Sequence, residues 1–278
     1  MKILVTGAAG TLGSAVVAHL RSLGWSVRAH DLVPLDPAQA DEVVTGDLRD
    51  PEQVRPLVDG VAGVVHAAAI PSPRPDEQAV FTNNVMSAYQ VLDAAGRGGV
   101  PRIVYVSSLS ALGFAYSEHG ASPESVPVTE THPYVAEDVY GLSKYLGEQV
   151  AYTTALRWGA AVASLRFPFL GSGERLRRHL ARVHEEPGFG RRILWAWLDT
   201  RDAARAIEAA LTRPLTGHHV INVVAPDTTA LEPTAELLRR YHPSSALTQP
   251  LDGFATPFST QRSRELLGFT AAYSWRSS

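Results

Sequence analysis

Tyr140 and Lys144 lie four residues apart in "VYGLSKYLGE" (139–148), a stretch that otherwise reads as the start of an amphipathic helix. That spacing puts both side chains on one helix face, a turn apart. A phenol beside an ammonium is a usable proton-transfer pair. Tyrosine alone, with a pKa of about 10, is a poor base near neutrality, and a neighbouring positive charge favours its phenolate. Spacing by itself does not separate such a pair from two ordinary helix residues, so the surroundings must decide.

A second stretch with chemical content is "TGAAGTLG" (6–13), which sets Gly7, Gly10 and Gly13 between an apolar run and a helical one. Gly7 suits a tight turn, Gly10 the approach of backbone to a pyrophosphate, and Gly13 close helix packing. The helix N-terminus then faces negative charge. Asp31 ends the next apolar run, where a carboxylate can hold both ribose hydroxyls of an NAD adenosine and repel the 2′-phosphate of NADP. No arginine follows it in "DLVPLD", so NAD is expected over NADP.

The elements that must carry these residues alternate along the chain. Apolar runs at 2–6, 26–31, 63–68, 102–108 and 161–167 are separated by helical segments at 12–23, 51–58, 76–98 and 138–158. This predicts an α/β fold, a Rossmann-like doubly wound parallel sheet. Residues 1–170, with 195–225 returning to them, form the dinucleotide domain. Residues 171–194 and 226–278 form a small C-terminal substrate cap, in which "FATPF" (254–258) packs over the substrate site. Asp202 is read as the N-cap of a helix over 203–211.

Composition narrows the function classes. The 278 residues are 45% hydrophobic and 19% charged, with a formal net charge of −3, which leaves no basic footprint for nucleic acid. No run approaches the roughly 20 apolar residues that span a bilayer, and "MKILVTG" enters a strand at once, with no room for a signal peptide. A cytoplasmic protein with a small-molecule substrate is expected, without membrane or nucleic-acid partners. With no cysteine, disulfides and thiolate chemistry are excluded. His179, His184, His218 and His219 show no metal-ligand spacing, and no metal is expected. Arg175, Arg177, Arg178 and Arg182 suit either an anion or, more commonly, a solvated helix face.

On these motifs the sequence resembles the extended branch of the short-chain dehydrogenase/reductase superfamily, the NAD-dependent epimerases and dehydratases, over roughly residues 1–225. The resemblance implies a cofactor cradle of Gly7, Ala9, Gly10, Thr11, Leu12 and Gly13, with Asp31 on the ribose and Asp47 and Leu48 of "GDL" near the adenine. Ala67 and Ala68 of "HAAA" lie under the cofactor, and Phe167 of "LRFP" beside the nicotinamide. Asn84 holds the structure around the cofactor site, and His66 is a structural histidine beside it. Ser108 of "VSSLS" matches the catalytic serine, and Tyr140 with Lys144 the YxxxK pair. In the family that lysine also bonds the nicotinamide ribose, and the positive nicotinamide favours the phenolate further.

Within the branch, "DLVPLDP" (31–37) and "RRILWAWLDTRDAARAIEAAL" (191–211) are similar to segments of uronate and sugar dehydrogenases. Their carboxylate-binding arginine falls on Arg192, and their substrate positions on Pro71, Ser108, Leu109 and Phe169. Uronate dehydrogenases carry polar groups where this chain has Pro71, Leu109 and Phe169, so a less hydroxylated substrate is expected. The activity implied is hydride transfer between a secondary alcohol of a sugar-derived substrate and NAD. A nucleotide-sugar epimerase that recycles its NAD and a dinucleotide sensor without catalysis are the alternatives. Family members commonly dimerise through the helices that here span 76–98 and 138–158, so a homodimer is expected.

Overall fold

Apolar runs too short to be helices, most of them rich in Val, Ile or Leu, become strands buried on both faces. In chain order the elements begin β1 (Lys2–Thr6), α1 (Thr11–Ser22), β2 (Ser26–Asp31), β3 (Glu42–Thr45), α2 (Pro51–Val54) and β4 (Gly63–His66). Then come α3 (Glu77–Arg97), β5 (Arg102–Ser108), β6 (Ser125–Val126), α4 (Val139–Trp158), β7 (Ala161–Phe167) and β8 (Phe169–Leu170). The chain continues through α5 (Gly173–Glu185), β9 (Trp197–Leu198), α6 (Thr200–Thr212), β10 (His218–Asn222), α7 (Thr234–Tyr241), β11 (Ala246–Leu247) and α8 (Gln261–Leu267). This computed structural model describes residues 1–73 and 76–276.

Seven strands form one sheet in the order β10-β7-β5-β4-β1-β2-β3, with every pairing parallel. The order reverses between β1 and β4, the switch point at which such sheets bind ligands. The pleat divides the core in two. Ile3 and Val5 of β1 pack with α1 and α6 on one face, while Leu4 packs with α2, α3 and α4 on the other. The expected doubly wound fold is therefore present.

Three local expectations change. β3 is a short, half-buried edge strand, "EVVT", without the long apolar run that marks a central strand. The segment from 51 leaves α-helical geometry after Val54 and continues as a 3-10 turn over Arg55–Val58, where Pro56 has no N–H to donate. Asp202 is not the N-cap of α6. Asp199 takes that role, its Oδ1 accepting from Arg201 N at 2.8 Å. Asp202 is buried in the first turn, bonded to Arg205 at 2.6 Å and to the backbone N–H groups of Ala272 and Tyr273 at 2.9 Å.

A third core lies beyond the strand ends. Leu112, Phe114, Val128, Trp195, Leu237 and Phe258 meet there from segments far apart in the chain, over the parallel pairs β8–β9 and β6–β11. Residues 226–276 divide between two cores: α7 packs into this third one, whereas Leu267 of α8 and Phe269 join the core around α1 and α6. Leu194 and Trp195 carry positive φ angles of 50° and 54°, uncommon for residues with a Cβ, and both are fully buried. Among the described residues, no helix is long and apolar enough to cross a membrane.

Candidate active site

The glycine turn opens into a cleft of about 1190 Å³ along the ends of the strands. Gly7 has a φ of +72°, and a Cβ on it would lie 2.6 Å from Ala68 N; one on Gly13 would lie 2.0 Å from Gly7 O. Neither position accepts a side chain without backbone movement. α1 begins at Gly10 with no side-chain cap and no acidic residue in its first turn, so its N-terminal N–H groups remain available to an anion. Asp31 is tied to the turn, accepting from Ala9 N at 2.9 Å and Val33 N at 3.3 Å. A pyrophosphate with an adjoining ribose diol fits this donor set.

The other expected cofactor residues fall into two groups. Gly10, Thr11, Leu12, Ala67 and Phe167 line the cleft. Ala9, Asp31, Asp47, Leu48, Ala68 and Asn84 do not line it. Asp47 is bound by Arg49 at 3.0 Å from Nε, and this pairing holds its carboxyl below the usual range. Leu48 is buried in the core on the α3 side. Asn84 joins the loop after β4 to α4: its Oδ1 accepts from Ile70 N at 2.7 Å, and its Nδ2 donates to Ile70 O and to Ser143 Oγ, both at 3.1 Å. Asn84 thus sets the relative position of two walls. His66 is buried, its Nδ1 2.9 Å from Thr6 Oγ1, and burial and then the Lys144 charge push it down to about 3, a neutral imidazole.

Tyr140, Lys144 and Ser108 meet on the opposite wall. Asp138 caps α4, accepting from Gly141 N at 2.8 Å, which starts the helix two residues before the tyrosine. Tyr140 is 7% exposed and Lys144 4%. Lys144 Nζ donates to Val106 O at 2.8 Å and sits 5.9 Å from the centre of the Tyr140 ring. Burial draws Lys144 down to about 8, with Glu148 pulling the other way. Burial also raises the Tyr140 phenol above its ordinary value, against a hydrogen bond with Ser108. In the free protein, burial therefore outweighs the Ser108 hydrogen bond, and Tyr140 is a neutral phenol. Ser108 ends β5, its Oγ 3.1 Å from both Ser110 N and Ser110 Oγ.

The far side of the cleft belongs to α5 and the 3-10 turn after it. Arg175, Arg178 and Arg182, spaced three and four apart, share the face that lines the cleft, as do Pro71, Leu109, Phe169 and Arg192. Arg177 alone of that run faces away, paired with Glu174 at 2.8 Å. Arg175 is held by Leu170 O at 2.8 Å and lies over Phe169. Sequence reasoning missed Tyr116, whose ring meets that of Tyr140 edge-on at 6.0 Å. It also gave no role to His179, which stacks on Phe169 at 4.0 Å and which burial, then Arg175 and Arg182, push down to about 4. The 175/178/179/182 periodicity was the available signal for that wall. Phe258 of "FATPF" lines the cleft, whereas Phe254 packs under Arg276. Among the described residues, no His, Asp or Glu cluster could hold a metal.

Residues 3–224 match the NAD dependent epimerase/dehydratase family. A uronate dehydrogenase of Pseudomonas syringae pv. tomato is 32% identical over 230 residues, 82% of this chain and 76% of that protein. A UDP-glucose 4-epimerase of Corynebacterium glutamicum is 27% identical across 97% of this chain and 91% of its own. A short-chain dehydrogenase/reductase superfamily protein from Agrobacterium tumefaciens, solved with bound NAD, superposes with a TM-score of 0.75 at 28% identity, covering 99% of this chain and 93% of that one.

Proposed function

The chain belongs to the NAD-dependent epimerase/dehydratase family as an NAD-dependent enzyme of short-chain dehydrogenase/reductase type, and on that premise we propose that it oxidises a secondary alcohol of a sugar-derived substrate with net reduction of NAD. What carries the reading is that Ser108, Tyr140 and Lys144 share one cleft with the glycine turn. NAD, when bound, supplies the hydride acceptor. Ser108 orients the substrate oxygen, and Tyr140 takes the hydroxyl proton as the C–H hydrogen departs with its electron pair, leaving a carbonyl. In the reverse direction the neutral phenol already present gives the proton back. Lys144 favours the phenolate by its charge.

Arg192 is the carboxylate anchor in this reading, its fork suited to bidentate binding. Pro71, Leu109 and Phe169 offer few partners to ring hydroxyls, which favours a substrate with fewer of them. The protein works in the cytoplasm as a homodimer, α3 and α4 offering exposed Phe81, Met86, Tyr152 and Leu156 to a second copy; sedimentation as a monomer would reject that assembly.

The relative that spans 97% of the chain is an epimerase, which favours epimerisation as the second reading, and the two differ in whether NADH accumulates. The test is NADH formation from NAD across uronates, deoxysugars, free sugars and nucleotide sugars, with Tyr140→Phe alongside. Turnover that Tyr140→Phe reduces by about 100-fold or more supports the dehydrogenase. Silence despite NAD binding points to the epimerase or to a sensor, and an active Tyr140→Phe removes the tyrosine from the chemistry.

A further inference from the structure

Lys144 is one of only two lysines in the chain, the other being Lys2, and it is the buried one. An ammonium withdrawn from water tends to lose its proton unless a counter-charge stands near it. Around Lys144 are Tyr140 on its own helix, Tyr105 of β5 with its ring 5.3 Å away, and the neutral His66 of β4. From the α3 side comes Asn84, which carries no charge. Among the described residues one carboxylate acts on it, that of Glu148, one turn further along α4.

Glu148 is 1% exposed and fully engaged. Ser107 Oγ donates to its Oε1 at 2.6 Å, Arg166 Nε to the same oxygen at 2.8 Å, and Arg166 Nη2 to Oε2 at 2.7 Å. Arg166 is further held by Glu130 O at 3.2 Å. Three successive residues of β5 are thus committed in turn: the Val106 carbonyl to Lys144, the Ser107 hydroxyl to Glu148, and Ser108 to the cleft. Arg166 immediately precedes Phe167, which also lines the cleft. One carboxylate fastens the helix of the proton-transfer pair to both strands whose ends it works against.

We propose that Glu148 is a positioning residue for the proton-transfer pair, its buried carboxylate serving as the counter-charge that keeps Lys144 an ammonium while it pins α4 to β5 and β7. The inference rests on the roles given above to Tyr140 and Lys144. Two substitutions separate charge from scaffold. Glu148→Gln removes the charge and keeps the shape. Arg166→Gln breaks the same ion pair yet leaves the carboxylate, now free to act on Lys144 alone.

With only two lysines, protein labelled with 13C at lysine Cε gives two signals, and Lys2→Arg assigns them. In the wild type the Lys144 signal titrates near pH 8, where burial sets it. In Glu148→Gln its midpoint falls by about one pH unit or more, and the alkaline fall of NADH formation moves down with it; in Arg166→Gln it rises. A merely structural role lowers stability in both variants and leaves the Lys144 midpoint in place, which overturns the proposal. If Glu148→Gln does not fold, an unmoved or lowered midpoint in Arg166→Gln overturns it equally. Full turnover in Tyr140→Phe, with the Lys144 titration as described, breaks the functional reading instead and leaves the electrostatic one standing.

Discussion

The two sides of the cleft recognise their ligands by different means. On the cofactor side, the turn between β1 and α1 presents backbone N–H groups, and its key residues matter for the side chains they lack. On the substrate side, α5 and the turn after it present guanidinium, imidazole and phenyl groups held by one another, as in the stack of Arg175, Phe169 and His179. A backbone cradle tolerates almost no substitution but reads only generic features, phosphate and ribose. A side-chain wall tolerates substitution and sets which substrate fits. In the proposed reading the first side would serve any dinucleotide, and the second would set the substrate.

This contrast predicts a graded set of effects. Gly13→Val, whose Cβ would press on Gly7 O, should weaken NAD binding by about 100-fold, the upper end of an overpacking cost; calorimetric affinity within a few-fold of wild type would contradict a rigid backbone cradle. Arg192→Met should raise KM for a uronate by about 10-fold or more, the worth of a charge-assisted pair, with NAD affinity unchanged. A parallel loss of NAD binding would show that the two sides are not independent. Asp31→Ala should cost NAD about 10-fold and narrow the preference over NADP, measured as the ratio of the two affinities.

A further effect is read through pH. His66 lies on the cofactor side and His179 on the other; burial pushes their pKa values down to about 3 and about 4 from 6.5. Between pH 6.5 and pH 4 the unfolded chain binds the extra protons, so stability rises with pH across that window, by up to about 1.4 kcal/mol per pH unit for each histidine. Urea midpoints at pH 7 and pH 5 measure the slope. His179→Phe should remove part of it and leave the His66 share; an unchanged slope would mean that the α5 wall opens before the rest of the protein unfolds.

The glycine turn and the Tyr140–Lys144 pair were legible as motifs because each depends on spacing within one turn or one helix, whereas Ser108, on a separate strand, came only from the family resemblance. Asp199 was not, since "DTRD" offers two aspartates three apart that both suit a helix N-cap, and only the packing of Asp202 against Ala272 and Tyr273 decides between them. The cleft face of α5 was hidden because its arginines read more readily as a solvated stripe, and only the assembled cleft shows which of them line it. The raised phenol of Tyr140 was illegible for another reason: burial is a property of the assembled site, and there it outweighs the Ser108 hydrogen bond.

The third core carries a consequence for the order in which the molecule can be made. β1 pairs with β2 on one side and β4 on the other using residues up to 66, so three neighbouring strands of the sheet and the glycine turn can have their partners early in synthesis. The substrate side draws Phe114, Trp195, Leu237 and Phe258 into a single cluster and cannot close until residue 258 has emerged. Contacts of such long sequence separation form slowly. On a growing chain the dinucleotide turn would therefore be complete before the wall for the alcohol, and cofactor captured at such a stage would steady the sheet on which the last segments must dock.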